Sequence, residues 1–409
     1  MFYYFLLVCT LYLGFFKMPD SYPGLVSDLL IVPLIVYSVL SWKKSPKNDL
    51  MEKVLISFWS CFVIYFILVL VSAEKYHSKI TSILNIREIY PFILFYFTPV
   101  IINSKEKLIK VLKFVLVLSA IASLFAVAQS IYGPKPMFDP TGFYNTGHWA
   151  GQGTVMIGPI SRVALPTMYL IYFVSIALVI YDLVKGKLNF LPLIILLTIS
   201  ILISFTRSFW LATTIAVIFT VIILIRNLLI NKNTFYISFI SLIVIAGLIL
   251  LLIMLDNPIS ISINDRLLSI FSDIHDTSGT YSLRLISLQK FIEIWRSFGV
   301  FFGIDPFFIG RFNEPTLSDV GFVYVLVTIG LVGLILLISI WILGISYAIK
   351  TLKTGVKTNK VELSITGAFL FASIIFFIIC QVYTQFSFSS SLFALIFGTS
   401  IASKRIFDV

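Results

Sequence analysis

The sequence predicts an all-helical membrane protein that crosses the bilayer about twelve times and carries one large polar loop on its outer side. Three observations predict it. Of the 409 residues, 59% are hydrophobic and only 12% charged, with a mean hydropathy of +1.03, more apolar sequence than a soluble core can use. The apolar residues come in runs of about 20, the length an α-helix needs to cross about 30 Å of hydrocarbon, whereas barrel strands would be about half as long and strictly alternating. One stretch, residues 255–318, is long and polar enough to fold outside a membrane. The chain therefore divides into residues 1–254 with nine spans, the loop 255–318, and residues 319–409 with three more.

The twelve runs fall at 1–16, 24–42, 53–73, 82–102, 108–132, 159–181, 188–205, 208–230, 234–254, 319–349, 364–381 and 389–403. The first lacks a basic leader and a small-residue cleavage site, so it is expected to be retained as a helix. Cys9, Cys61 and Cys380 each lie inside an apolar run, away from any CxxC spacing, and are expected to be small core hydrophobes.

The net charge of +11 would suggest a nucleic-acid partner in a soluble protein. Here it has to be divided between the two sides of a bilayer, and no nucleic acid is implied. One set of alternate loops holds 18 of the 30 basic residues, among them Lys43, Lys105, Lys187, Lys353 and Lys404. The positive-inside rule makes this side cytoplasmic and puts both termini there. Residue type sorts more sharply than number, because seven of the nine arginines fall on the other side. Lysine suffices to set topology, while arginine offers planar, bidentate contacts to phosphate or carboxylate and stays ionised when partly buried. An anionic ligand handled at the outer leaflet fits this pattern. Anchoring to anionic lipids is the alternative for an arginine at any one helix end.

Within the loop, YSLRLISLQKFIEIWRSF reads as an amphipathic helix at 100° per residue. Leu288, Ile292 and Trp295 share its apolar face with Arg284 at the centre, while Gln289, Lys290, Glu293 and Arg296 fall opposite. An arginine in that position either snorkels to headgroups or turns to a desolvated anion. The loop before the sixth run, GPKPMFDPTGFYNTGHWAGQGTVMIG, sets Tyr144 and Trp149 beside His148, aromatic faces and donors of the kind that hold sugar rings, or an interfacial aromatic belt. Arg162 follows just inside the sixth run. Between the seventh and eighth runs only Thr206, Arg207 and Ser208 are polar. That predicts a tight outer turn with Arg207 at a helix N-terminus, where free N–H groups and the dipole favour a phosphate.

Three segments, taken in order, resemble the superfamily of O-antigen ligases and Wzy-type O-antigen polymerases. FTRSFWLATTIAV is similar to its arginine-containing turn. SLRLISLQKFIEIWRSF with GVFFGIDPF is similar to its outer-loop segment, and SDVGFVYVLVTIGLVG to the start of the following helix, with Asp319, Gly330 and Gly333 at the matching positions. The resemblance covers residues 204–333; the N-terminal half shares only hydropathy. In the ligase branch the Asp319 position is typically histidine, and none of His77, His148 or His275 falls in the motif, which points to a polymerase of polysaccharide repeat units. The bend Gly303-Ile304-Asp305-Pro306 also departs from a commoner two-glycine pattern.

The resemblance implies a GT-C-like membrane glycosyltransferase. It would join undecaprenyl-diphosphate-linked oligosaccharides, donor and acceptor, at the outer face of the cytoplasmic membrane, with a chain-length regulator as an optional partner and no cofactor. Arg207 and Arg284 would meet the charge of the departing lipid diphosphate, with Arg162 and Arg311 as further candidates. Asp319 would take the proton of the acceptor hydroxyl, Glu293 and Glu314 being alternatives; an acid before a helix is also a common N-cap. No DxD and no histidine pair at helical spacing is present, so metal-independent transfer is expected. An O-antigen ligase and a flippase of lipid-linked oligosaccharide are the competing expectations.

Overall fold

The computed structural model describes residues 1–12, 25–41, 49–72, 90–132, 156–157, 160–161, 168–186, 189–204, 207–227, 300–303, 321–383 and 391–407, together with Leu288, Gln289, Ile292, Glu293, Trp295 and Arg296. The helices are α1 (Phe2–Tyr12), α2 (Leu25–Ser41), α3 (Leu50–Ser72), α4 (Tyr90–Ile101), α5 (Lys105–Tyr132), α6 (Met168–Lys185), α7 (Leu191–Ile203), α8 (Arg207–Arg226), α9 (Gly321–Lys357), α10 (Val361–Tyr383) and α11 (Ser391–Phe407). Among the described residues five are long and apolar enough to cross a membrane: Leu50–Val69, Lys105–Tyr132, Phe209–Arg226, Gly321–Lys357 and Val361–Val382. Shorter apolar helices accompany them. This is the make-up of a helical, membrane-embedded protein, in which each crossing segment must satisfy its own backbone.

Helix α10 sits at the centre, packed against α6, α8, α9 and α11; α3 packs on α9, α4 on α11, and α5 on α6 and α7. The α9–α10 pair comes closest, because Gly355 and Gly367 admit the facing backbone: a Cβ at either would stand 2.5 Å from an amide nitrogen of the other helix. The hairpin between them is a Schellman turn. Asn359 takes φ 55°, Lys360 N–H bonds Gly355 O at 2.9 Å and Asn359 N–H bonds Val356 O at 3.2 Å, which closes the last orphan carbonyls of α9. On the other side of the core Trp59 is fully buried, stacked between Phe95 and Phe393, with its indole N–H on Phe92 O at 3.1 Å.

Eleven of the expected runs coincide with these helices; the run at 234–254 lies outside the described residues. Four expectations are corrected. The sixth run does not begin as a helix at 159. Ile160–Ser161 pairs antiparallel with Met156–Ile157 as a short β1–β2 ladder, and α6 starts only at Met168, because Pro159 and Pro166 interrupt the helical ladder. The tenth run is longer than expected. Lys350, Lys353 and Lys357, assigned to a loop, continue α9 to 37 residues, about 55 Å at 1.5 Å each; a helix does not need apolar side chains once it has left the bilayer. That helix is also broken, with Gly330 at φ 67°, ψ −174°. Finally, Cys9 and Cys380 are buried but Cys61 is exposed on α3, so only two of the three are core residues.

Lysines and carboxylates gather at one end. Asp49 caps α3 by accepting the Met51 N–H at 2.7 Å, and its other oxygen takes Lys350 at 2.8 Å and Lys404 at 2.7 Å. The Arg405 guanidinium closes on Glu52. The start of α3 is thereby pinned to the ends of α9 and α11. Partial burial raises the Asp49 pKa, but the hydrogen bonds from Lys350, Lys404 and the Met51 amide outweigh it and hold the carboxyl well below its ordinary range.

Candidate functional site

The opposite end of the bundle holds the heads of α8 and α9, next to two of the positions in which the sequence placed its chemistry. α7 ends at Ile203 and α8 begins at Arg207, the tight turn the sequence calls for. The Ser204 hydroxyl and the Trp210 indole both bond Ile201 O, each at 2.7 Å, and Tyr172 OH meets Ser204 Oγ at 2.8 Å, so the turn is tied back to α7 and across to α6. Arg207 thus heads α8; its side chain lies outside the described residues. A guanidinium on a helix N-terminus adds its charge to the positive dipole end, a combination that favours an anion.

Just below, Tyr172, Phe209 and Phe376 form an aromatic layer, Phe209 lying parallel to Phe376 with centroids 6.1 Å apart. About 7.5 Å further along α10, at 1.5 Å per residue, the buried Gln381 donates from Nε2 to Gly321 O at 2.8 Å. Gly321 opens α9 two residues after Asp319 in the chain. The heads of α8 and α9 therefore stand at the same end of the α8–α10–α9 group.

The break in α9 lies about two and a half turns below its head and is filled by the described turn of the polar loop. Leu331 N–H bonds Val300 O at 3.2 Å and Val332 N–H bonds Phe301 O at 3.1 Å, so the first amides of the helix after the break have partners at a depth where an unpaired one costs several kcal/mol. Tyr65 of α3 donates to Ile329 O at 2.7 Å, with Phe302 O at 3.3 Å and Phe301 O at 3.5 Å from the same hydroxyl oxygen. Two glycines make this contact. Gly303 at φ 73° and Gly330 at φ 67° meet backbone to backbone: a Cβ on Gly303 would lie 2.5 Å from Gly330 N, and one on Gly330 would collide with Phe301 O. Gly333, one turn on, leaves room for the Ile329 side chain. Trp295 extends the connection into the loop, its indole N–H reaching Val300 O at 3.0 Å.

The described part of the loop helix has the amphipathic sidedness of its sequence. Leu288, Ile292 and Trp295 are half-buried, while Gln289, Glu293 and Arg296 are exposed. Arg162, Arg284, Arg311, Glu314, Asp319, Tyr144, His148 and Trp149 lie outside the described residues. Among the described residues no three of His, Cys, Asp and Glu stand close enough together to hold a metal ion.

Sequence reasoning passed over four residues at this end. Tyr65 reads as one more aromatic in an apolar run, and Gln381 as a polar residue at a helix end. Gly303 was read only as part of an irregular bend. Gln129, in the last turn of α5, is fully buried, and its amide makes no hydrogen bond to a described residue. A polar residue within an apolar run, flanked by Ser119, Ser123 and Ser130 at helical spacing, was the available signal. In comparisons with known proteins, the chain matches no family model and no curated sequence.

Proposed function

We propose that the protein is a multi-pass membrane glycosyltransferase, a polymerase of lipid-linked polysaccharide repeat units working at the outer face of the cytoplasmic membrane. The observation that carries this reading is that the head of α8 bearing Arg207 and the head of α9, two residues after Asp319, stand at the end of α10 remote from the lysines, with the docked turn of the arginine-bearing loop held further down α9. A departing diphosphate needs cations and helix N-termini at one place, and an attacking hydroxyl needs a carboxylate beside them. The chemistry then balances simply. The acceptor oxygen forms a bond to the anomeric carbon, the bond from that carbon to the diphosphate oxygen breaks, and the lipid diphosphate leaves with the electron pair. The hydroxyl proton passes to Asp319 and on to water. Arg207 and Arg284, with Arg162 and Arg311 as further candidates, stabilise the charge on the leaving group; preorganised donors of this kind contribute about 10²–10³-fold each. Tyr144, His148, Trp149, Glu293 and Glu314 are the proposed sugar contacts, and the buried Gln129 amide, able both to donate and to accept, suits a hydroxyl-rich ligand.

The test is reconstitution of the purified protein alone in vesicles with one defined undecaprenyl-diphosphate-linked repeat. A ladder of longer glycans on a single lipid is the expected product. Transfer only to a lipid A acceptor would make the protein a ligase, and translocation without new bonds a flippase; either overturns the proposal. Inserted Arg207→Ala and Arg284→Ala variants that polymerise at the normal rate would overturn the assigned roles.

A further inference from the structure

We infer that Tyr65 is a positioning residue: it holds the Val300–Gly303 turn in the break of α9 and so sets the register between the polar loop and the helix that follows Asp319. The catalytic part of this inference rests on the function proposed above; the docking part does not.

The argument starts from what the break would cost alone. A transmembrane helix interrupted at Gly330 exposes the amides that follow and the carbonyl that precedes, and inside a bilayer such groups need partners. Each partner here comes from elsewhere in the chain. The Leu331 and Val332 amides are met by carbonyls of the loop, and Ile329 O by the Tyr65 hydroxyl. The Tyr65 oxygen stands among three carbonyls, one belonging to α9 and two to the turn, so a single phenol on α3 reaches both halves of the docking. The hydroxyl's one proton is directed chiefly to Ile329 O and shared at longer range with Phe302 O and Phe301 O, adding a side-chain donor to the Leu331 and Val332 amides that hold the turn.

The junction is also directional. Trp295 links Val300 O to the loop helix, and Arg284 lies eleven residues before Trp295 in the chain; Asp319 lies eleven residues before Gly330. A shift of the turn along α9 would change the placement of the loop helix against the head of α9 without touching either head directly. Rate is sensitive to such placement: a misplacement of 1 Å can cost about 100-fold.

Removing only the hydroxyl, as Tyr65→Phe, tests this in the full-length protein. Hydrogen exchange at the Leu331 and Val332 amides is expected to accelerate at least about tenfold while the unfolding temperature moves little. With a lipid-linked repeat as substrate, kcat is expected to fall about tenfold with KM nearly unchanged, since register acts on the transition state more than on ground-state binding. A disulfide between Phe301→Cys and Val332→Cys, two positions already joined by a backbone hydrogen bond, made in a Cys61→Ser background, is expected to restore both exchange protection and kcat. Gly330→Ala, whose Cβ has to displace Phe301 O, is the second variant and should reproduce the exchange and kcat changes. Unchanged exchange at Leu331 and Val332 in Tyr65→Phe would overturn the docking role. Accelerated exchange with normal kcat would overturn the positioning role. If the wild-type protein makes no polymer, the functional proposal fails, and the exchange measurement still decides the docking.

Discussion

The two ends of the bundle are fastened by different chemistry. At the lysine-rich end the joints are charged, with ion pairs spread over three helices: Asp49 with Lys350 and Lys404, Glu52 with Arg405, and the Lys360 ammonium on Phe407 O beside them. At the other end the described joints are neutral and most run to main-chain carbonyls: Gln381 to Gly321, Tyr65 to Ile329, Trp295 to Val300, and the paired amides across the α9 break, beside the Tyr172–Ser204 hydroxyl pair. Separating the buried Glu52–Arg405 pair strands two charges, whereas opening a joint between neutral groups strands only dipoles, at lower cost. The contrast says which end is scaffold and which is built for adjustment. It also leaves the carboxylates of the scaffold end committed to structure, while Arg207 heads α8 at the end where an anionic ligand is proposed.

The largest effect expected from breaking this contrast is at the scaffold. Arg405→Ala strands Glu52, which is only 3% exposed, and should destabilise by about 3–5 kcal/mol, seen as a lower unfolding temperature in detergent. Replacing both residues by leucine should recover most of that loss; a single variant as stable as the wild type would show the pair to be dispensable. Asp49→Asn comes next, at about 1–3 kcal/mol near neutral pH. Because the Asp49 pKa is depressed on folding, its contribution is complete above about pH 4 and disappears as the pH falls further. The gap in stability between wild type and Asp49→Asn should therefore close on acidification, and a gap constant from pH 7 to pH 2 would contradict the pairing.

At the adjustable end the same kind of change should register weakly in stability. Gln381→Leu is expected to cost only about 1 kcal/mol while hydrogen exchange at the start of α9 rises; a loss as large as that of Arg405→Ala would erase the distinction between the ends. The smallest expected effect is Asn359→Gly in the α9–α10 turn. There the left-handed backbone suits glycine, and the change should stay below about 1 kcal/mol by thermal unfolding.

Most of the helical layout was legible because a bilayer demands long apolar runs, and such runs survive in composition alone. The turn before Arg207 was legible for the same reason in reverse: three polar residues between two apolar runs leave no other place for the chain to reverse. The start of α6 was misjudged because hydropathy ignores what Pro159 and Pro166 do to a hydrogen-bond ladder. The break at Gly330 was invisible because TIGLVG satisfies the pattern of an ordinary span, and the partners that make a break tolerable sit about 30 residues earlier at Val300 and far earlier still at Tyr65. Of the candidate site, the tight turn before Arg207 and the half-buried face of Leu288, Ile292 and Trp295 were readable from sequence. The joint that holds the loop was not, since its acceptors are carbonyls that every residue possesses.

That last property bears on how this junction can change over generations. Residues 300 and 301 are bonded to α9 through their peptide carbonyls, and Phe301 and Phe302 point largely out of the core, so those two side chains are free to drift among many identities while the joint survives intact. The constraint is concentrated in two glycines and one phenol. Diverged descendants should keep those three positions paired with one another long after the intervening loop has become unrecognisable.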